Sequence, residues 1–361
     1  MNRQAMEFDS KSGSFSPQEY ALPQPQPGEV LIRVTFCTIC GSDLHTFEGR
    51  RQAPPACVLG HEIIGEIVNW GAGATPQDFF GKPISQGQRV TWCMAVGCGK
   101  CFFCQHGLSQ KCESLFKYGH ASQAGGPRGG LSQHCLLTAG TPIFPLPNEL
   151  PDEVAGPSNC ATATVAAAQR LVSETHTIQD STILITGAGM LGLNAAAQAA
   201  EAGAREIIVV DPLPERRTWA RRFGATACFD TDNFSALESH LARMTDGRGA
   251  DIALEFAGFH SAVEMCLHHI RTGGCVLLAG SVFPGDEVRI SPEQIIRRMI
   301  TLRGLHNYLA TDLEAAIQFL KTTVHKYPFQ ALVSKTFPLD QTKAAFEYAV
   351  ESKPIRVAIR P

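Results

Sequence analysis

The sequence has no long apolar run. None of its stretches reaches the roughly 18 residues that a membrane-crossing helix needs, so no membrane partner is expected. Its first residues, MNRQAMEFDSKSG, lack the apolar core of a secretory signal, so export is not expected and a cytoplasmic location follows by default. A surplus of either charge is missing too: Lys and Arg number 31 against 34 Asp and Glu, a net charge of −3. With no strongly basic half, nothing points to nucleic acid as a partner. Composition excludes disorder for most of the chain, since 44% of residues are hydrophobic and only 18% charged. Internal repeats and low-complexity tracts are absent. At roughly 150 residues per domain, 361 residues suggest two or three domains.

Cysteine is what the chain has in quantity. There are 13, an odd number, and a reducing compartment disfavours a disulfide framework. Such thiols serve either as small buried hydrophobes or as metal ligands. Cys37, Cys57, Cys228, Cys266 and Cys275 read as packing. Four others fall within 15 residues, in the pattern Cys98-x2-Cys101-x2-Cys104-x7-Cys112. Tetrahedral zinc takes four soft ligands at about 2.3 Å, and CxxC turns present paired sulfurs at that reach. Four thiolates leave no coordination position for chemistry. The lobe over residues 93–115 is therefore expected to hold a structural zinc, which stabilises a segment too short for its own core. A redox CxxC fits poorly, because no thioredoxin-like pattern surrounds the cluster.

The N-terminal stretch reads as short strands and turns. Residues 29–36 (EVLIRVTF) alternate like a half-buried strand, and 58–68 and 89–92 are β-rich. Turn residues at Pro23, Pro25, Pro27, Gly28, Gly71 and Gly73 break these runs. Loops are expected at 74–87 and at GGPRGG, 125–130. The character changes near 150–160. TILIT (182–186), EIIVV (206–210), ADIALE (250–255) and CVLLA (275–279) read as strands buried on both faces, with helices at 190–202, 214–223, 234–245 and 259–270. That alternation predicts an α/β fold with a doubly wound parallel sheet. Amphipathic helices at 311–322 and 340–350 and a strand at 355–359 complete the chain.

Gly187-Ala188-Gly189-Met190-Leu191-Gly192 follows the TILIT strand and opens an Ala-rich helix, and Asp211 stands 19 residues past Gly192. In that context GxGxxG is a dinucleotide fingerprint. Gly187 permits the tight turn, Gly189 lets a pyrophosphate approach the backbone, and Gly192 lets helix and strand pack closely. The N–H groups at the helix start attract phosphate charge. Asp211 can accept from both ribose hydroxyls and would repel a 2′-phosphate, which favours NAD over NADP. Arg216 and Arg217, just beyond it, weigh the other way.

Further ligand types sit far apart: Cys40 in TICGSDLH, His61-Glu62 in GHE, and Cys160 in NCATAT. Spacing alone does not bring them together. Through these segments, the four-cysteine run, the fingerprint and the C-terminal return, the chain resembles the zinc-dependent medium-chain alcohol/polyol dehydrogenases over essentially its whole length. The resemblance implies a GroES-like β-rich catalytic domain (1–155), a Rossmann NAD-binding domain (156–296) and a C-terminal return to the catalytic domain (297–361). It implies two zinc ions per chain and a homodimer or homotetramer. Cys40, His61 and Cys160 would hold the catalytic zinc, with Glu62 beside them as an alternating ligand. Asp43 would orient the ligand histidine, Ser42 and His45 would relay a proton, Thr164 would lie near the nicotinamide, and Arg356 would meet the pyrophosphate. Where several family members carry Arg after the first ligand cysteine, this chain has Gly41.

The chemistry of those residue types agrees. Two thiolates and one neutral imidazole around Zn²⁺ give a near-neutral site with one open position. Zinc takes bound water from a pKa of about 16 to about 7, and an alcohol should respond similarly, on the order of 12 kcal/mol of charge stabilisation. Ser42 and His45 would then carry the proton to solvent while hydride passes to NAD.

Expected pocket walls are Arg51, Met94, Tyr118, His120 and His306, with Arg50 nearby. Arg50-Arg51 reads either as a solvent-facing turn or as a bidentate grip on an anionic substrate. Residues 98–120, with KYGH at 117–120, are similar to a subgroup associated with phosphonate catabolism, which implies a phosphonate-bearing alcohol or aldehyde. The alternatives are a neutral polyol, sugar-alcohol or threonine-type dehydrogenase, and a non-catalytic nucleotide-binding relative. A zinc-free reductase is opposed by Cys40 and His61, and a zinc-ribbon nucleic-acid binder by the net charge. His106, His134 and the His268-His269 pair read as ordinary surface or packing residues, and Arg297-Arg298 as a solvated helix face.

Overall fold

A computed structural model describes residues 3–121 and 126–361. Gly125, which opens the expected GGPRGG loop, lies outside them. The chain forms two compact units. One runs through Cys160 and takes back Leu309–Val324 and Phe329–Pro361; the other is Ala161–Tyr308 with His325–Pro328.

The first unit is built on a seven-stranded sheet. Its central strand, Val30–Ile39, carries the alternation seen in the sequence and is buried over most of its length. It pairs antiparallel with Glu62–Trp70, from Val30 opposite Trp70 to Thr38 opposite Glu62. On its other side it pairs with Arg356–Arg360, with Ile39 opposite Val357. The register has a direct consequence. Cys40 follows the end of one strand, His61 precedes the start of the next, and Arg356 opens the third, so residues remote in sequence arrive at one edge of one sheet. Packed around these strands is a core that includes Ile63, Trp92, Tyr118 and Phe346.

The second unit is a six-stranded sheet in the order Ala227–Phe229, Glu206–Val210, Thr182–Thr186, Ala250–Glu255, Ile270–Leu278, Thr301–Gly304. Every pairing is parallel. Numbered from Thr182–Thr186, this is the 3-2-1-4-5-6 order of a doubly wound dinucleotide fold, whose crevice opens where the order reverses. The helices Met190–Glu201, Pro214–Arg222, Phe234–Thr245 and His260–His269 lie within a residue or so of the expected spans. No helix among the described residues is long and apolar enough to cross a membrane.

Several features depart from expectation, among them the unexpected strand Ala227–Phe229 and the early start of Ile270–Leu278, expected at 275–279. The last strand of this sheet, Thr301–Gly304, falls inside the expected C-terminal return; the return to the first unit begins at Leu309 instead of at 297. Its TLRG sequence alternates half-buried with exposed residues, as an edge strand does, and so carries no continuous apolar run. The helix Ala161–Ser173 was hidden by a sequence of small residues. Arg298 is half-buried and engaged: its guanidinium donates to the carbonyls of Leu267 and Ile270.

Gly187 takes φ +91, a conformation that side chains rarely adopt, and Gly192 packs so closely that an added Cβ would collide with the Gly187 carbonyl oxygen. Gly192→Ala is therefore expected to destabilise the second unit by about 1–3 kcal/mol or more. A thermal melt should show a lowered midpoint; an unchanged midpoint would mean that the turn relaxes freely.

Candidate active site

The site begins with a buried carboxylate. Cys40 precedes the short helix Gly41–Phe47, and Asp43 reaches back so that its Oδ2 accepts the Cys40 backbone N–H at 2.9 Å. Its other oxygen, Oδ1, lies 3.3 Å from His61 Nδ1, with both side chains at most 1% exposed. One carboxylate thus holds the backbone of one candidate ligand and faces the ring of another. Asn159, fully buried and adjacent to Cys160, adds a third constraint by donating to the carbonyls of His61 and Trp92, each at 3.0 Å.

Cys40 Sγ and Cys160 Sγ are 3.9 Å apart. Two sulfurs at about 2.3 Å from one tetrahedral zinc would be separated by about 3.8 Å. The ligand atoms of Cys40, His61, Glu62 and Cys160 all lie within 4.8 Å of one another. His61 Nε2 is buried without a hydrogen-bond partner. A soft, converging donor set with an orphaned imidazole nitrogen fits zinc.

Without a metal, the electrostatics are those of a protonated donor set. Burial would push the His61 imidazole down, but Asp43 and Cys40 outweigh it and hold it up at about 10. Hydrogen bonding from the Cys160 thiol, helped by Arg356, holds Cys40 well below the ordinary thiol range despite burial. The same contact pushes Cys160 well up. A metal binding here would displace the protons that these sulfurs and the His61 ring carry.

Glu62 is fully buried and gripped by Arg356, with Nε to Oε2 at 3.0 Å and Nη2 to Oε1 at 2.9 Å. Thr38 Oγ1 donates to the same carboxylate at 2.5 Å. Arg356 Nη2 also stands 3.8 Å from Cys40 Sγ. This corrects the expectation for Arg356: its fork is committed to a buried carboxylate at the metal cluster and is not free to serve first as a pyrophosphate contact. The pair balances its own charge beside the ligands.

Ser42 and His45 are three residues apart on the helix, hence on one face, and both are half-buried. Burial, with Arg50, pushes the His45 imidazole down, so it is neutral near pH 7. On another side of His61, its ring centroid is 5.1 Å from that of His120. Arg51 Nη1 is 3.0 Å from His120 Nε2. Burial and then His61 and Arg51 hold His120 well below the ordinary imidazole range, so it accepts from the guanidinium. Burial, with Arg51 next, pushes the Lys117 ammonium down to about 8. Tyr118, expected at the pocket wall, is instead a core residue whose hydroxyl pairs with Thr141 Oγ1 at 2.6 Å. Met94 is buried, and its carbonyl accepts from Tyr118 N at 3.0 Å. His306 is exposed and belongs to the second unit.

Cys98, Cys101, Cys104 and Cys112 converge within 4.8 Å, with Cys101 Sγ and Cys112 Sγ 3.8 Å apart, again near the tetrahedral edge. The backbone N–H groups of Cys98 and Ser114 donate to Cys112 Sγ at 3.2 and 3.3 Å. Backbone donation from Cys104 leads the effects that hold the Cys101 thiol down to about 6, in favour of the thiolate that binds metal.

In the second unit, a Cβ built on Gly189 would meet only Arg216 Nη1, at 3.9 Å, so that backbone is open to close approach. Asp211 is buried. Its Oδ2 accepts from Ala188 N at 2.7 Å and its Oδ1 from Leu213 N at 2.9 Å, so it braces the fingerprint loop as well as ending the second strand. Arg217 is spent on Asp230 Oδ2 and on the Asp211 and Pro212 carbonyls. Thr164 lies in the first turn of the helix that follows Cys160. Thr38 and Asn159 support the site without having been assigned that role from sequence, where the available signal was their nearness to Cys40 and Cys160; His120, expected as a pocket wall, is placed beside His61.

Two family models match the chain: an alcohol dehydrogenase GroES-like domain over residues 26–148 and a zinc-binding dehydrogenase over 191–322. An L-threonine 3-dehydrogenase of Pyrococcus horikoshii is 32% identical over 294 residues, 80% of this chain and 78% of that protein. A sorbitol dehydrogenase of Halalkalibacterium halodurans is 28% identical and covers 97% of this chain and 96% of its own. The crystal structure of an alcohol dehydrogenase from Thermotoga maritima superposes with a TM-score of 0.92 at 23% identity, over the full length of both chains.

Asp43→Asn keeps the shape of the side chain and removes its charge. Loss of such a ligand-orienting group is expected to weaken metal affinity about 10–100-fold at the Cys40–His61–Cys160 cluster and not at the four-cysteine lobe. Metal analysis after dialysis against a mild chelator should then find about one zinc per chain in the variant against about two in the parent. Equal retention would remove the orienting role of Asp43.

Proposed function

This chain belongs to the zinc-dependent medium-chain alcohol dehydrogenases, oxidoreductases acting on CH–OH donors, and we propose that it transfers a hydride between an anionic alcohol and NAD. The observation that carries the reading is the convergence of Cys40, His61 and Cys160 around a buried imidazole nitrogen with no other partner. When bound, zinc supplies Lewis-acid stabilisation of alkoxide charge and NAD supplies the hydride acceptor. Cys40, His61 and Cys160 hold the first metal; Cys98, Cys101, Cys104 and Cys112 hold the second. Asp43 keeps the His61 ring turned towards the sulfurs. Ser42 takes the hydroxyl proton of the substrate, and neutral His45 accepts it and passes it to solvent. Glu62 can serve as an alternating ligand only by leaving Arg356, and the bidentate grip opposes that move.

Gly187, Gly189 and Gly192 shape the pyrophosphate cradle, and Thr164 flanks the nicotinamide. Asp211 favours NAD: a carboxylate ending the second strand repels a 2′-phosphate, and the adjacent cation Arg217 is already engaged.

The anionic substrate rests on Arg51, whose guanidinium bonds a neutral His120 one ring away from a metal ligand. Lys117 adds a second cation close enough to feel Arg51 and Cys160. Cations in place of apolar walls suit a carboxylate, phosphate or phosphonate group on the alcohol. A neutral polyol or threonine-like alcohol is the second reading, favoured by the similarity to sorbitol and threonine dehydrogenases.

An NAD-reduction screen over neutral, polyol, amino-acid and anionic alcohols, with and without chelator, tests the proposal. Turnover should require the metal and be best with an anionic alcohol. Arg51→Ala should raise KM for that alcohol about 10–100-fold, the worth of one charge-assisted pair, and change KM for a neutral alcohol little. Equal effects on both would remove the anionic reading and leave the dehydrogenase. Because Lys117 is cationic below about pH 8 and neutral above it, KM for the anionic alcohol should rise as pH passes 8 while that for a neutral one does not.

A further inference from the structure

We propose that the second unit carries a third divalent-metal site, formed by Glu238, His268 and His269, that takes a borderline transition metal such as Zn²⁺, Ni²⁺ or Cu²⁺. One ligand atom of each residue lies within 4.8 Å of the others. His269 is only 5% exposed. Its Nδ1 is 2.9 Å from the Met265 carbonyl oxygen and must donate to it, which puts the proton on Nδ1 and leaves the Nε2 lone pair free. That nitrogen is buried and has no hydrogen-bond partner. A ligating histidine is ordinarily fixed in this way, one nitrogen donating to a carbonyl and the other facing the metal.

The neighbouring pair has the matching geometry. His268 Nε2 and Glu238 Oε1 are 3.1 Å apart. A nitrogen and an oxygen at about 2.0–2.1 Å from one tetrahedral metal are separated by about 3.3 Å. Phe234 packs against both imidazoles, with ring centroids at 5.2 and 4.7 Å, and limits their rotation. The three residues border an open depression of about 300 Å³, which has room for a water or small anion in a fourth position. Of the nearby cations, Arg298 is committed to backbone carbonyls and Arg248 to Asp246.

A surface ion pair between His268 and Glu238 is the simpler account of those two residues, and it is worth little at their exposure. It leaves the buried His269 nitrogen unexplained, at the cost of an unsatisfied polar atom; a shared metal accounts for all three. Two imidazoles and one carboxylate suit zinc, nickel or copper better than magnesium or calcium. The helix His260–His269 leads into the strand Ile270–Leu278, so this site lies at the amino edges of the parallel strands. The dinucleotide crevice is at their carboxyl edges, so the site is separate from the fingerprint.

Calorimetric titration of the zinc-loaded protein with Ni²⁺ tests the assignment. The parent should bind one Ni²⁺ per chain in the micromolar range with its zinc content unchanged. His268→Asn and Glu238→Gln, both at exposed positions where folding is not at stake, should each weaken that binding at least tenfold. Absence of saturable Ni²⁺ binding to the parent, or a loss below tenfold in either variant, overturns the site.

Discussion

Asp43 is a carboxylate with no exposure to water, and its two oxygens are divided between the Cys40 backbone and the His61 ring. A buried carboxylate is tolerated where its oxygens face donors or cations. Here the use made of those oxygens is the geometry of the site. The oxygen on Cys40 N anchors the helix that carries Ser42 and His45, and the oxygen near His61 decides which imidazole nitrogen faces the sulfurs. Ligand placement, ring orientation and the start of the proposed relay are thus linked through one side chain. That side chain does not need to touch the metal.

The neighbouring Glu62–Arg356 pair follows the opposite logic. Removing either partner would leave an unpaired buried charge, at a cost of about 3–5 kcal/mol. Such a pair is weak evidence of net stability, so its value lies elsewhere. It ties the first residue of Arg356–Arg360 to the first residue of Glu62–Trp70 across the strand Val30–Ile39, which Cys40 follows. A slip of one residue in either pairing would turn the carboxylate to the other face of the sheet. The pair therefore pins the register that brings Cys40 and His61 to the same edge, and it does so without adding net charge beside the thiolates.

Much of this was legible in the sequence, and the limits have physical causes. Three central strands of the second unit, Thr182–Thr186, Glu206–Val210 and Ala250–Glu255, are buried on both faces, so they appear as unbroken apolar runs and their boundaries could be read closely, while the start of Ile270–Leu278 could not. The four cysteines were legible because their ligand geometry is local. The edge strand Thr301–Gly304 was not, since an edge strand buries little and needs no apolar run. Cys40, His61 and Cys160 could be named as ligand types, but their meeting depends on strand register, which no local pattern encodes. Arg356 was expected at the pyrophosphate because a sequence does not show that a carboxylate 294 residues away occupies it.

The two clusters proposed to hold zinc differ for the same reason. Ligands drawn from one short loop can all turn inward, and four thiolates then close the coordination sphere. Keeping one corner open requires that something stop the chain from supplying a fourth donor there. In this fold Cys40 and His61 enter from strand ends of one sheet and Cys160 from the turn Gly156–Asn159, and the nearest additional donor, Glu62, is restrained by Arg356 and Thr38. Rigid, non-local delivery of ligands is thus the structural condition for an open position. It also explains why the residues that restrain ligands matter to the chemistry as much as those that bind.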